Sequence, residues 1–230
     1  KGKDPQLPEA TIFFTGENQW RKLDQWPPKE NRPRPIYLAP SGSLSWNLPT
    51  YVKDDIFTEY ISDPAHPVPY TEDVHFGRTR EYMTDDQRFA TRRPDVLTFQ
   101  TYPLEEDLTL AGPVIANLKV SITGSDADFV VKVIDVFPDD FQYGATSQNP
   151  PAGGRGAYPM DGYQMLVRGE IMRGKFRNSF ENPVPFKPGK IETIKFELPD
   201  VAHTFKKGHR LMIQVQSSWF PLADRNPQQF

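Results

Sequence analysis

The chain has 230 residues, 37% of them apolar and 25% charged, and its 30 acidic and 27 basic residues leave a net charge of −3. That apolar content, with 16 Phe, 9 Tyr and 4 Trp, supplies a sizeable core and argues against a disordered chain. The balanced charge offers no basic face for nucleic acid, no apolar run approaches the ~20 residues of a membrane-crossing helix, and the lack of cysteine removes disulfides, thiolate metal sites and a cysteine nucleophile.

Twenty-four Pro and 15 Gly, spread along the whole length, keep uninterrupted runs short, so strands are favoured over long helices. In chain order, Ala10 to Gly16 and Pro35 to Ala39 are candidate strands, separated by a Pro-rich, charged loop from Trp26 to Pro35. Ser62 to Thr84, with Pro64, Pro67 and Pro69, reads as an extended crossing that must lie on something. Asp95 to Thr101 is short and rich in β formers, and Ala116 to Ile122 alternates apolar and polar residues. Phe129 to Phe137 is almost wholly apolar, as expected of the deepest strand, covered on both faces. Tyr143 to Tyr158 is a loop of Gly, Pro, Gln, Asn and Ser, and Tyr163 to Phe176 is a long strand with Gly169 and Gly174 as bulges or bends. Ile194, Phe196 and Leu198 share one side of a strand, as do Leu211, Ile213 and Val215 of the next, where one face is core. The count reaches about eight strands or more, the number from which jelly rolls are built. The expected fold is all-β, a jelly-roll β-sandwich occupying residues 1–230 as one domain.

Chemistry is harder to find. A serine hydrolase needs its nucleophile on a strained turn, commonly Gly-x-Ser-x-Gly, and no such motif is present; Ser43 and Ser125 read as turn residues. His66, His75, His203 and His209 lack zinc-like spacing, and the last two read as hydrogen-bonded structural residues. Asp126 and Asp128 could form part of a calcium site but fall short in donors, so turn capping or an ion pair is the preferred reading. Lys132 and Asp135 face opposite sides of the deepest strand and must find partners unless one lies on an exposed face; Arg168, Glu170 and Arg173 are the plausible ones. Trp20, Trp26 and Trp46 could form a sugar-stacking platform, the alternative being that they anchor loops by packing. No catalytic residue, cofactor or metal site is expected within the chain.

Several motifs go further. Asp128 to Asp139, Phe205 to Val215 and Asp224-Arg225-Asn226-Pro227 resemble the signatures of the C-terminal domain shared by X-Pro dipeptidyl-peptidases, cocaine esterase, glutaryl acylases and α-amino acid ester hydrolases. Gly162 to Met165, Arg173 to Glu181, Asp85 to Arg88, Arg93 to Leu97 and Gly16 to Trp20 look most like the glutaryl acylase and α-amino acid ester hydrolase branch. The resemblance implies a galactose-binding-domain-like jelly roll, inert by itself, that follows an α/β-hydrolase domain carrying the Ser-Asp-His triad, packs on it and helps wall its substrate pocket. It also implies that Val74-His75-Phe76 falls near that pocket, so His75 and Phe76 are candidate rim residues, an ordinary interdomain contact being the alternative. Relatives continue past Asp-Arg-Asn-Pro into a final strand, whose loss would leave an open sheet edge and invite pairing with another chain, a homo-oligomer being one such outcome. The expected partners are therefore the hydrolase domain and, through it, a small acyl substrate, with no nucleic acid and no membrane. The compartment stays open between periplasmic or secreted and cytoplasmic. The rival functions are a carbohydrate-binding module using the three tryptophans and a purely structural interaction domain.

Overall fold

The period-two segments become strands whose apolar sides meet in one interior. A computed structural model describes residues 7–50, 56–77, 79–142 and 159–230. Its strands are β1 (Ala10–Phe14), β2 (Gln19–Leu23), β3 (Tyr37–Ala39), β4 (Ser43–Ser45), β5 (Val96–Gln100), β6 (Leu108–Val120), β7 (Asp128–Val136), β8 (Gln164–Arg173), β9 (Glu192–Phe205) and β10 (Arg210–Gln216). The one α-helix among the described residues, α1 (Arg88–Thr91), is a single turn of 4 residues. The loop expected at Tyr143 to Tyr158 lies outside the described residues.

Two layers form a jelly-roll β-sandwich. One is a six-stranded sheet in the order β3-β4-β5-β10-β7-β8, the other the long antiparallel ribbon β6-β9. Phe129, Val131 and Val133 of β7, Leu211 and Val215 of β10 and Phe99 of β5 meet Ile194, Phe196, Leu198 and Phe205 of β9 in one cluster. Each such side chain, fully buried, contributes roughly 1.5–3 kcal/mol. The hairpin β1-β2 joins the ribbon's edge: Thr15 N–H donates to the Ala202 carbonyl at 3.1 Å, and Thr204 N–H to the Thr15 carbonyl at 2.9 Å.

Every residue of β7 is buried, as expected of the deepest strand. For β10 the expectation of one core face is too narrow. Met212, Gln214 and Gln216, on the side that sequence alternation assigns to water, are buried as well. The chain around α1 meets Gln214, whose Nε2 donates to Thr91 Oγ1 at 2.7 Å and approaches the Gln87 carbonyl at 3.5 Å; Met212 packs with Ile134, Val136 and Leu166, and Gln216 Nε2 donates to the Ser218 carbonyl at 2.7 Å. The bulge expected at Gly169 falls instead at Val167, where the β7-β8 register shifts between Arg168 and Leu166. Gly169 stays in register opposite Lys132, and its lack of a side chain has another use: a Cβ there would sit 2.9 Å from the Trp219 ring.

Candidate functional site

The crossing from Ser62 onward lies on the face of the six-stranded sheet turned away from the ribbon. Val68, Tyr70 and Thr71 are buried, and Pro69 forms an isolated parallel bridge with Phe220. Tyr70 stacks on Tyr82 with ring centroids 5.6 Å apart, and Tyr82 meets Trp219 edge-on at 6.0 Å. Beyond this anchored stretch the chain climbs into solvent, leaving Val74 and Phe76 fully exposed. A shallow depression of about 410 Å³ lies beside them, lined by Tyr70, His75, Phe76, Gly77, Pro221 and Leu222. His75 Nε2 is 3.1 Å from Glu81 Oε2 but not aligned for a hydrogen bond. Burial pushes the Asp85 carboxyl up, a backbone N–H from Glu72 opposes the shift, and the charges of Glu81 and Asp73 reinforce it. The ground around the crest is thus acidic, and both residues singled out by resemblance, His75 and Phe76, stand on it.

Beneath the aromatic stack lies Lys132, fully buried on β7. Its ammonium donates to Gln87 Oε1 at 2.9 Å and sits 5.0 Å from the Trp219 ring centre. Burial alone lowers its pKa from 10.5 to about 7. The expected partners, Arg168 and Glu170, sit on the other face, because register places Gly169 opposite Lys132 and sets its two charged neighbours opposite Val133 and Val131. Arg173 is spent on Asp128 and Asp224. Asp135, facing the ribbon, is likewise not met by that group: Oδ2 lies 3.1 Å from His203 Nε2 and Oδ1 lies 2.8 Å from His209 Nδ1.

The C-terminal, non-catalytic domain of X-Pro dipeptidyl-peptidases matches residues 4–229 of the chain. The chain belongs to that family. It is 31% identical over 226 residues to the cocaine esterase of Rhodococcus sp. (strain MB1 Bresler), a match spanning 96% of the chain and 36% of the esterase. Two solved structures are close in fold: an aminopeptidase from a marine sediment Thaumarchaeota archaeon (41% identity, TM-score 0.85, 97% of this chain and 35% of that one) and an α-amino acid ester hydrolase (42% identity, TM-score 0.84, 97% and 36%). The chain thus spans about a third of the length of these relatives.

Within this X-Pro dipeptidyl-peptidase C-terminal domain, other candidate groups serve the architecture. His203 and His209 are hydrogen-bonded, as expected, and His203 Nδ1 lies 2.8 Å from the Thr15 hydroxyl. That hydroxyl also lies 3.2 Å from the Ala202 carbonyl, and Asp135 and His203 are each 1% exposed, so the groups tie β9 and β7 in the interior to the residues that follow β1 and precede β10. Asp126 caps the Ala127 and Lys175 N–H groups at 3.0 and 2.8 Å, and Asp128 pairs with Arg173, in keeping with the capping and ion-pair reading. No cluster of metal-ligand side chains occurs among the described residues. Of the three tryptophans only Trp20 is exposed, edge-on to Phe13 at 5.3 Å. Trp26 donates to Asp200 and meets Phe14 edge-on, and Trp46 packs on the core under Arg34, so both are loop anchors. The supports that sequence reasoning missed are Tyr70, Tyr82, Trp219 and Gln87. Aromatic residues in the otherwise polar crossing were the available signal for the first two, and nothing local marked Gln87.

Proposed function

We propose that this domain follows an α/β-hydrolase domain in a serine hydrolase acting on esters or amides, including peptide-like substrates, and that it packs on that domain with His75 and Phe76 at the rim of the substrate pocket. Membership of the family and the hydrolase names of relatives about three times as long support the first half. The observation that carries the second is the fully exposed pair Val74 and Phe76, beside a Tyr70-Tyr82-Trp219 stack whose Tyr70 and Trp219 are buried. An apolar crest exposed to water suits a surface that another domain covers. The triad belongs to the partner domain, and this one supplies shape.

In the full-length protein, Phe76→Ala is expected to raise KM for α-amino acid methyl esters or Xaa-Pro amides several-fold with kcat little changed, the signature of lost substrate binding rather than lost chemistry. Steady-state kinetics on both substrate classes checks this, and unchanged KM for both would remove the rim assignment. The domain by itself is expected to be inert toward the same substrates; turnover in clean material would overturn the reading as a whole.

A further inference from the structure

The depression beside Phe76 has two banks: Tyr70 to Gly77 from the crossing and Pro221 with Leu222 from the segment after β10. That segment runs along the crossing like a strap. Tyr70 N–H donates to the Phe220 carbonyl at 2.8 Å and Phe220 N–H to the Val68 carbonyl at 3.0 Å, while Ser218 Oγ accepts from Val68 N–H at 2.8 Å. Further on, Arg225 donates to the Pro64 carbonyl at 3.1 Å, and Gln228 Nε2 reaches the carbonyl and hydroxyl of Ser62 at 2.8 and 3.0 Å.

What fixes the strap is Asn226, buried at 4% exposure between two buried carboxylates. Its Nδ2 donates to Asp126 Oδ2 at 3.1 Å and to Asp128 Oδ1 at 2.7 Å, and its Oδ1 accepts from Gln228 N–H at 2.7 Å. One amide nitrogen has two hydrogens, one for each carboxylate. Asp in this place would offer no donor and add a third negative charge, and Ala would leave both carboxylates short of a partner. The carboxylates cannot follow a moving partner, because Asp126 is held by the Ala127 and Lys175 N–H groups and Asp128 by Arg173. Gly124 lets the strap come this close: a Cβ there would lie 2.7 Å from the Gln228 carbonyl oxygen.

We infer that Asn226 is a positioning residue for the pocket rim, latching the strap that clamps the crossing and thereby setting where His75 and Phe76 stand. The inference rests on the rim reading above. It is tested in the full-length protein by comparing Asn226→Asp, Gln228→Ala and Phe76→Ala. By hydrogen exchange, Asn226→Asp is expected to open the Val68 and Tyr70 amides roughly tenfold faster or more while β7 and β10 keep their protection. With an α-amino acid methyl ester, its KM rises several-fold at near-constant kcat, a split that a merely destabilised fold would not produce. Gln228→Ala, which cuts the outer end of the strap without disturbing the buried carboxylates, gives the same changes in smaller measure if Asn226→Asp fails to fold. Unchanged exchange at Val68 and Tyr70 overturns the latch whatever the kinetics, and faster exchange with unaltered KM overturns its service to the pocket. The rim reading fails separately, if Phe76→Ala alone leaves KM untouched.

Discussion

On the face of β7 turned to the ribbon, Asp135 meets two imidazoles, from the end of β9 and the start of β10. On the opposite face, one turn of the pleat away, Lys132 meets a glutamine oxygen and the face of a tryptophan. Both side chains are buried at 1% exposure or less, in the same strand. The carboxylate accepts a hydrogen bond on each oxygen and joins three strands from the two layers. The amine has no carboxylate partner, so desolvation lowers its pKa to about 7 and the neutral form becomes available near neutral pH. A buried group shared by two imidazoles knits the sandwich, whereas an amine met only by a neutral amide and a ring face leaves a pH-dependent weakness beneath the crest.

The comparison breaks most visibly at Asp135. Asp135→Ala strands two buried imidazoles and is expected to cost about 3–5 kcal/mol, read from the midpoint of urea unfolding. Lys132 gives the next largest effect, one that depends on pH. Its folded pKa of about 7 lies below the unfolded value of 10.5, so between these limits the unfolded chain holds a proton that the native chain lacks, and stability rises with pH. The penalty is complete below pH 7 and relieved as pH rises toward 10.5. Lys132→Met removes this dependence: relative to the parent protein its stability advantage should shrink by about 1–3 kcal/mol between pH 7 and pH 9, measured by unfolding at both values. Phe76→Ala, on the exposed crest above, should change stability by no more than about 0.5 kcal/mol, leaving kinetics as its readout.

Much of the sandwich was legible because burial on one face writes itself as alternation: Ile194, Phe196 and Leu198 lie in the core as their spacing requires. The second buried face was not. Gln214 and Gln216 look solvent-facing in sequence, yet both are buried; Gln214 is met by residues more than a hundred positions earlier, and Gln216 by the Ser218 carbonyl of the chain that follows it. The partners of Lys132 and Asp135 were missed for a related reason. Arg168 and Glu170 are near in a paired strand, but register fixes the face on which each emerges, and a charge's nearest neighbour in a sheet is not the nearest in the sequence pattern. His203 and His209 were legible as hydrogen-bonded groups, though not as partners of one carboxylate. The candidate rim residues His75 and Phe76 came from resemblance alone; the full exposure of Phe76 became visible only in the three-dimensional arrangement. Asn226 stood in a recognised motif, yet its task as a two-handed donor depends on Asp126 and Asp128, about a hundred residues away.

The most direct measurement of whether the crest meets a hydrolase domain is photocross-linking of the full-length protein with p-benzoylphenylalanine in place of Phe76. The account predicts an intramolecular cross-link to a peptide near the catalytic serine or histidine, suppressed when the active site is filled by a covalent inhibitor. Cross-links solely to a second copy, or none above background, would contradict it.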